Sequence, residues 1–232
     1  MRPVKSALAA MLMSASLAMP ALAADPGQIA VTGEGQVEAR PDMATVSLGV
    51  TTRAATAAEA MAANSVQLAL VLEQLRASGI EERDVQTSGL SLSPDWQQPQ
   101  GQATPEITGY VASNMLTVRV RALDGLGKVL DTAVSDGANT FNGLTFGLQD
   151  PEPLMNEARR RAVADAMGRA ELLATSAGVK LGRIVSITEG GGGMGGPVPM
   201  YRMQADAAPA VPVAAGEVAT ATSVTMVFEL AE

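Results

Sequence analysis

No cysteine occurs in this 232-residue chain, and six aromatic residues (Trp96, Tyr110, Phe141, Phe146, Tyr201 and Phe228) are all it has. With no disulfide to restrain the unfolded state and few rings to fill space, the fold must rest on close packing of Ala, Val, Leu and Met. A chain of about 200 residues buries on the order of 70% of its unfolded surface, enough for one generous core or two fused small ones. Histidine is absent as well. Without imidazole there is no Ser-His-Asp relay and no proton shuttle near neutral pH, and without thiol there is no Cys nucleophile or thiolate metal cage. These absences favour a binding or assembly module over an enzyme.

Arg2 and Lys5 precede an apolar run from Ala7 to Met19 that is too short to span a ~30 Å hydrocarbon core, and Ala21-Leu22-Ala23 supplies a small-x-small cleavage pattern. The expectation is a signal peptide over residues 1–23, cleaved after Ala23. Residues 24–232 then form one exported domain that is periplasmic, secreted or associated with the outer membrane. No Cys follows the cleavage site to carry a lipid, and no later stretch approaches the roughly 18 consecutive apolar residues of a membrane helix. The chain has 24 acidic and 16 basic residues, a net charge of −8. Loss of Arg2 and Lys5 leaves 14 basic residues and a net of −10, which argues against nucleic acid or anionic lipid as a partner.

The pattern is a run of strands interrupted by two long helices. The first helix opens on Thr56-Ala57-Ala58-Glu59, a capping box, carries Met61, Ser65, Leu68, Leu72 and Leu75 along one stripe, and stops at Gly79. The other follows Asp150-Pro151-Glu152-Pro153, with Asp150 as cap, buries Leu154, Ala158, Ala162, Ala166 and Ala170, and stops at Gly178. A shorter helix spans Asp124 to Ser135, with Asp124 as cap, Leu126, Val129, Leu130, Ala133 and Val134 inward, and Gly137 as its stop. Gly79-Ile80 precedes Val85 as Gly178-Val179 precedes Ile184, a weak internal repeat of strand, helix, glycine and strand.

Strict alternation in Met43–Arg53 (Ala44, Val46, Leu48, Val50), in Val111–Arg121 (Leu116, Val118, Val120) and at the C-terminus (Thr222, Val224, Met226, Phe228, Leu230) predicts antiparallel sheets covered on one face. The fold class is therefore α+β: antiparallel sheets with two long helices and one short helix packed on one face, in two lobes. The polar faces carry Thr, Ser, Arg119 and Arg121, and either meet water or line an interface. Ser93 to Thr108, with Pro94, Trp96, Pro99 and Pro105, reads as a long loop that presents Trp96 as a lid or a partner anchor. Gly190 to Gly216, rich in Gly, Pro and Met, reads as a flexible loop.

Candidate chemistry is sparse. Gly33-Glu34-Gly35 and the glycine run at 190–196 lack the Gly-Lys-Ser/Thr continuation of a phosphate cradle. Glu34, Asp42, Asp95, Asp136, Asp150 and Asp165 offer partners for an acid-type carboxylate pair, though each also suits a cap, a turn or a solvent charge. Met194, Met200 and Met203 offer thioethers to Cu(I), or act as adaptable apolar filler. Arg159-Arg160-Arg161 is spread around a helix beside Glu157 and Asp165 and reads as a solvated face.

Ile29-Ala30-Val31-Thr32-Gly33-Glu34-Gly35, followed by Arg40-Pro41-Asp42-Met43-Ala44 and Val46-Ser47-Leu48-Gly49-Val50, resembles the opening of the SIMPL-domain family, once catalogued as a domain of unknown function. The likeness continues through Gln86-Thr87-Ser88-Gly89-Leu90, Ile107-Thr108-Gly109-Tyr110, Asn114, Val118-Arg119-Val120-Arg121, Gly137-Ala138-Asn139, Ala158-Arg159 and Gly216-Glu217. It covers nearly all of residues 24–232, and departs from the family between Gly190 and Met203. The resemblance implies an exported, immunogenic protein of the periplasm or outer membrane, linked with oxidative stress tolerance, some of whose relatives form rings or channels. It supplies no catalytic residues. The reading is thus a non-enzymatic homo-oligomer with no cofactor and an unknown ligand, with Trp96, Tyr110, Arg119 and Arg121 as interface candidates. A copper or small-ligand carrier and an acid-type hydrolase are the alternatives.

Overall fold

The structure is a computed structural model that describes residues 27–98, 104–190 and 213–231. The chain order is β1 (Gln28–Ala39), β2 (Met43–Ala54), α1 (Ala57–Ala77), β3 (Val85–Gln97), β4 (Glu106–Val120), α2 (Leu126–Ser135), β5 (Thr140–Gly147), α3 (Glu152–Ala177), β6 (Lys180–Glu189) and β7 (Val218–Ala231). All strand pairs are antiparallel and form two sheets, one in the order β1-β7-β6 and one in the order β3-β4-β2-β5.

The alternating positions decide which face each sheet buries. Ala44, Val46, Leu48 and Val50 of β2 and Leu116, Val118 and Val120 of β4 sit under α1 and α2, with Leu68, Val71, Leu75, Leu126, Val129 and Leu130 completing the larger core. A smaller core joins Val31, Val224, Met226 and Phe228 to the alanines of α3. Two lobes result, as the patterning predicts. They are linked by the Arg40-Pro41-Asp42 turn and by the segment between β5 and α3, and Val213 of the chain leading to β7 packs on the larger core.

The alanine ridge of α3 explains Gly33-Glu34-Gly35. A Cβ on Gly33 would lie 2.2 Å from the Ala162 carbonyl oxygen, and one on Gly35 would lie 1.9 Å from that of Ala158. Only glycine on the strand and alanine on the helix let the two backbones meet at this distance. The motif is a seat for a helix.

Several expectations are corrected. Ser93–Thr108 is no long loop: β3 continues to Gln97 and β4 begins at Glu106, so Pro94 and Trp96 are strand residues. Pro94 is accommodated because β3 is an edge strand, where a missing backbone donor can face outward. The buried stripe of α1 is Ala60, Asn64, Leu68, Val71 and Leu75, one residue off the expected register at its start, and Ser65 is exposed. The offset arises because Asn64 is buried, its amide donating to the carbonyls of Val50 (2.8 Å) and Ala112 (3.2 Å). Such satisfaction offsets the cost of a polar group inside. Asp124 does not cap α2, because a 3₁₀ turn over Leu123–Gly125 intervenes and Gly125 takes the cap position. Val134 lies outward. The internal repeat is local only: β2 and β3 share a sheet, whereas β5 and β6 belong to different sheets. Asp150 is not the cap of α3 either: Pro151 takes that position, and Asp150, one residue earlier, accepts from the Glu152 amide. The capping box at Thr56 and Glu59 and the left-handed Gly79 and Gly178 are as expected.

Candidate functional site

Where the two lobes meet, four polar side chains form one connected chain. Asp84, in a 3₁₀ turn before β3, is 4% exposed and accepts two bonds of 2.7 Å from Arg121 Nε and Nη2. Arg121 Nη1 donates to Gln149 Oε1 (3.3 Å), Gln149 donates its amide N–H to Asp42 Oδ1 (2.7 Å), and its side chain donates to the Asp42 carbonyl (3.2 Å). The Asp42 amide in turn donates to the Gly147 carbonyl. The bidentate Arg121 guanidinium holds the Asp84 carboxyl below the usual carboxylate range, and Asp84 reciprocally raises Arg121. This joint ties the ends of β4 and β5 to the β1–β2 turn.

Beside it opens a cleft of about 490 Å³ between the C-terminus of α1, the N-terminal part of α2 and the end of β4. Its walls mix Ile80, Val120 and Val129 with Arg119, Lys128 and Thr132. A second, apolar hollow of about 270 Å³ lies between α2 and β5, lined by Leu48, Leu130, Val134 and Phe141.

The sheet edges differ sharply. On β1, every second residue turns its backbone away from β7, and α3 meets those groups in sequence: Arg169 donates to the Thr32 carbonyl (2.8 Å), Asp165 accepts from the Glu34 amide (2.9 Å) and Arg161 donates to the Gln36 carbonyl (2.8 Å). Three side chains four residues apart thereby seal one edge. Nothing comparable covers β3, whose backbone from Gln86 to Ser93 meets no side-chain cap among the described residues. On that strand Leu90, Leu92 and Trp96 are exposed, as is Ile107 opposite Trp96. Ile184 and Ile187 are exposed on β6, an outer strand of the other sheet.

The four interface candidates do not form one patch. Tyr110 and Trp96 lie at the hairpin end of β3 and β4, Tyr110 half-buried and Trp96 57% exposed. Arg119 and Arg121 lie at the other end of β4, roughly 30 Å away at about 3.4 Å per residue. Arg121 is committed to Asp84, whereas Arg119 is exposed near the end of β4, where it pairs with Thr45 and borders the cleft.

The carboxylates proposed for an acid-type pair have other partners: Asp42 holds Gln149, Asp95 pairs with Arg53, Asp150 accepts from the start of α3, and Asp165 pairs with Arg169. Glu34 is exposed, and Asp136 ends α2. Glu157 is held below the usual carboxylate range by bonds from Arg160 and Arg161, but the face expected to be only solvated also grips the sheet, through Arg161 and Asp165 on β1 and Arg159 on Glu189 of β6. No group of three or more acidic side chains placed to hold a metal occurs among the described residues. Met194, Met200, Met203 and the cleavage site after Ala23 lie outside the described residues.

Sequence reasoning missed Asp84, Gln149, Asn64 and the role of Asn139. Asn139 stands in for a strand residue, accepting from the Thr51 amide (2.7 Å) and donating to the Thr51 carbonyl (2.8 Å) just before the start of β5. Its place after Gly137-Ala138 is the signal that pointed to it.

A family model named SIMPL and described as a protein of unknown function (DUF541) matches residues 29–228. The 26 kDa periplasmic immunogenic protein of Brucella melitensis is 44% identical over 216 residues, which cover 88% of this chain and 85% of the relative. The uncharacterized protein YggE of Escherichia coli K12 is 31% identical over 205 residues, covering 88% and 82%, and its namesake in Edwardsiella ictaluri is 31% identical over 184 residues, covering 78% and 77%. None of these names states a catalytic activity. No helix among the described residues is long and apolar enough to cross a membrane.

Proposed function

The chain belongs to the SIMPL family, and we propose that it is an exported, non-enzymatic scaffold of the cell envelope that assembles from copies of itself through its open sheet edges and contributes to tolerance of oxidative stress. Residues 1–23 direct export and are removed after Ala23, and the periplasm is the destination. The Brucella relatives bear a periplasmic name, which supports that location.

The observation that carries the reading is the contrast between edges. Natural sheets blunt the edges they do not use, and this chain spends three side chains of α3 on β1. It leaves the thirteen-residue β3 with exposed Leu90, Leu92 and Trp96, and β6 with exposed Ile184 and Ile187. Backbone pairing along such an edge gives affinity, and the apolar side chains give register. Two unlike edges on one protomer suit head-to-tail contacts, which close into rings when the rotation allows.

Sedimentation velocity on residues 24–232 and on the Leu90→Lys/Leu92→Lys variant tests this. The account expects wild type to sediment as a multimer at micromolar concentration and the variant to lose that species. A wild type that remains monomeric removes the proposal.

A further inference from the structure

We propose that the cleft between α1, α2 and the end of β4 binds a free small organic anion with an apolar body, a role that does not depend on self-association. Three cations, Arg40, Arg119 and Lys128, make no side-chain hydrogen bond or close ion pair among the described residues, although the chain has an excess of carboxylates. Two of them, Arg119 and Lys128, line the same cleft.

The carboxylates at the cleft are hydrogen-bonded to other cations, and Arg119 acts on Asp84 only at a distance. Asp84 is matched by the bidentate Arg121, and Glu81 pairs with Arg83 at 2.8 Å. Both acids are neutralised locally. The negative end of α1 also faces this cleft, but its last carbonyls are taken: Ser78, Gly79 and Ile80 donate their amides to the carbonyls of Gln74, Arg76 and Leu75. From the other side comes α2, whose first amide, Leu126, is taken by the Leu123 carbonyl, so Lys128 is the positive group that α2 brings to the cleft.

The remaining wall selects for more than charge. Ile80, Val120 and Val129 give an apolar floor, and Thr132 and Gln74 offer a few polar contacts. A volume of about 490 Å³ falls within the range of sites for small organic molecules, roughly 300–1,000 Å³. An inorganic ion alone would leave that floor wet. A carboxylate at Arg119 and Lys128 with a short aliphatic or aromatic body on Ile80, Val120 and Val129 uses both halves of the cleft.

Calorimetric titration of the full chain with octanoate, octan-1-ol and inorganic phosphate tests the proposal. Octanoate is expected to bind at least tenfold more tightly than either octan-1-ol, which keeps the body and lacks the charge, or phosphate, which keeps charge and lacks the body. Arg119→Gln/Lys128→Gln is expected to weaken octanoate at least tenfold and leave octan-1-ol unchanged. Because neither cation is hydrogen-bonded to the protein and Asp84 keeps both bonds from Arg121, their removal orphans no group, and unchanged circular dichroism is expected. Equal affinity for octanoate and octan-1-ol, equal affinity for octanoate and phosphate, or unchanged octanoate binding by the double variant each overturns the proposal. A wild type that binds octanoate in this way while remaining monomeric upholds the ligand site and sinks only the assembly reading.

Discussion

Replacing Gly35 with alanine places a methyl group 1.9 Å from the Ala158 carbonyl oxygen and 2.6 Å from the Ala162 nitrogen, where Cβ contacts below 3.0 Å are essentially never found. Both obstacles are helix backbone, which has no rotamer to change. The helix must therefore move off β1 by about 1 Å, and α3 is 26 residues long with five buried alanines, Ala158 to Ala174, on its contact face. A radial gap of that size forfeits a quarter to a half of each affected dispersion contact. It also stretches the bonds that seal β1. Overpacking typically costs 1–3 kcal/mol, and this case belongs at or above the upper end, about 3 kcal/mol. For a chain of this size that corresponds to a fall in Tm of roughly 6–12 °C. The control lies on the same helix: nothing stands within 4 Å of a Cβ on Gly168, and Gly168→Ala should stabilise by up to about 1 kcal/mol. Differential scanning calorimetry of wild type, Gly35→Ala and Gly168→Ala reads all three. If Gly35→Ala melts within 2 °C of wild type, the close seating of α3 on β1 is refuted.

Further outcomes follow from the polar joint and the edges. Asp84 has a depressed folded-state pKa, so its contribution is present above the unfolded carboxylate value near 4 and is lost as pH falls through the lower folded value; Asp84→Asn should lower the urea midpoint at pH 7, with the gap from wild type narrowing towards pH 3. Asn139→Ala removes both bonds to the Thr51 backbone and should cost about 1–3 kcal/mol in urea denaturation, whereas retention of full stability would show those bonds to be dispensable. Asp165→Ala frees the Glu34 amide and should speed its hydrogen exchange roughly tenfold, without effect on the Thr51 amide.

Much of the architecture was legible because period two and period 3.6 are written plainly in this chain. Ala44-Val46-Leu48-Val50 and the alanines from Ala158 to Ala170 lie where their spacing puts them. The errors have physical causes. Pro94 looked like a loop residue because an edge strand tolerates what a central strand does not. Asn64 shifted the stripe of α1 because its buried amide is satisfied by two carbonyls far away in sequence. Asp84 sits in Glu81-Glu82-Arg83-Asp84, a run that reads as solvated, and becomes the joint only because Arg121, 37 residues later, reaches it. Gly33 and Gly35 carry no local sign of their role, because the backbone they approach, α3, begins more than a hundred residues away. Pairings of that separation carry no local signal. Of the interface candidates, Trp96 kept its exposure but lost its loop, while Arg121 was claimed by Asp84.

The central claim is that β3 is an edge left open for another copy. Hydrogen–deuterium exchange of residues 24–232 at high and at hundredfold lower protein concentration measures it directly. The account predicts protection of amides from Gln86 to Ser93 that grows with concentration, while the already sealed β1 exchanges alike at both. Concentration-independent exchange along β3, or protection appearing on β1 instead, contradicts it.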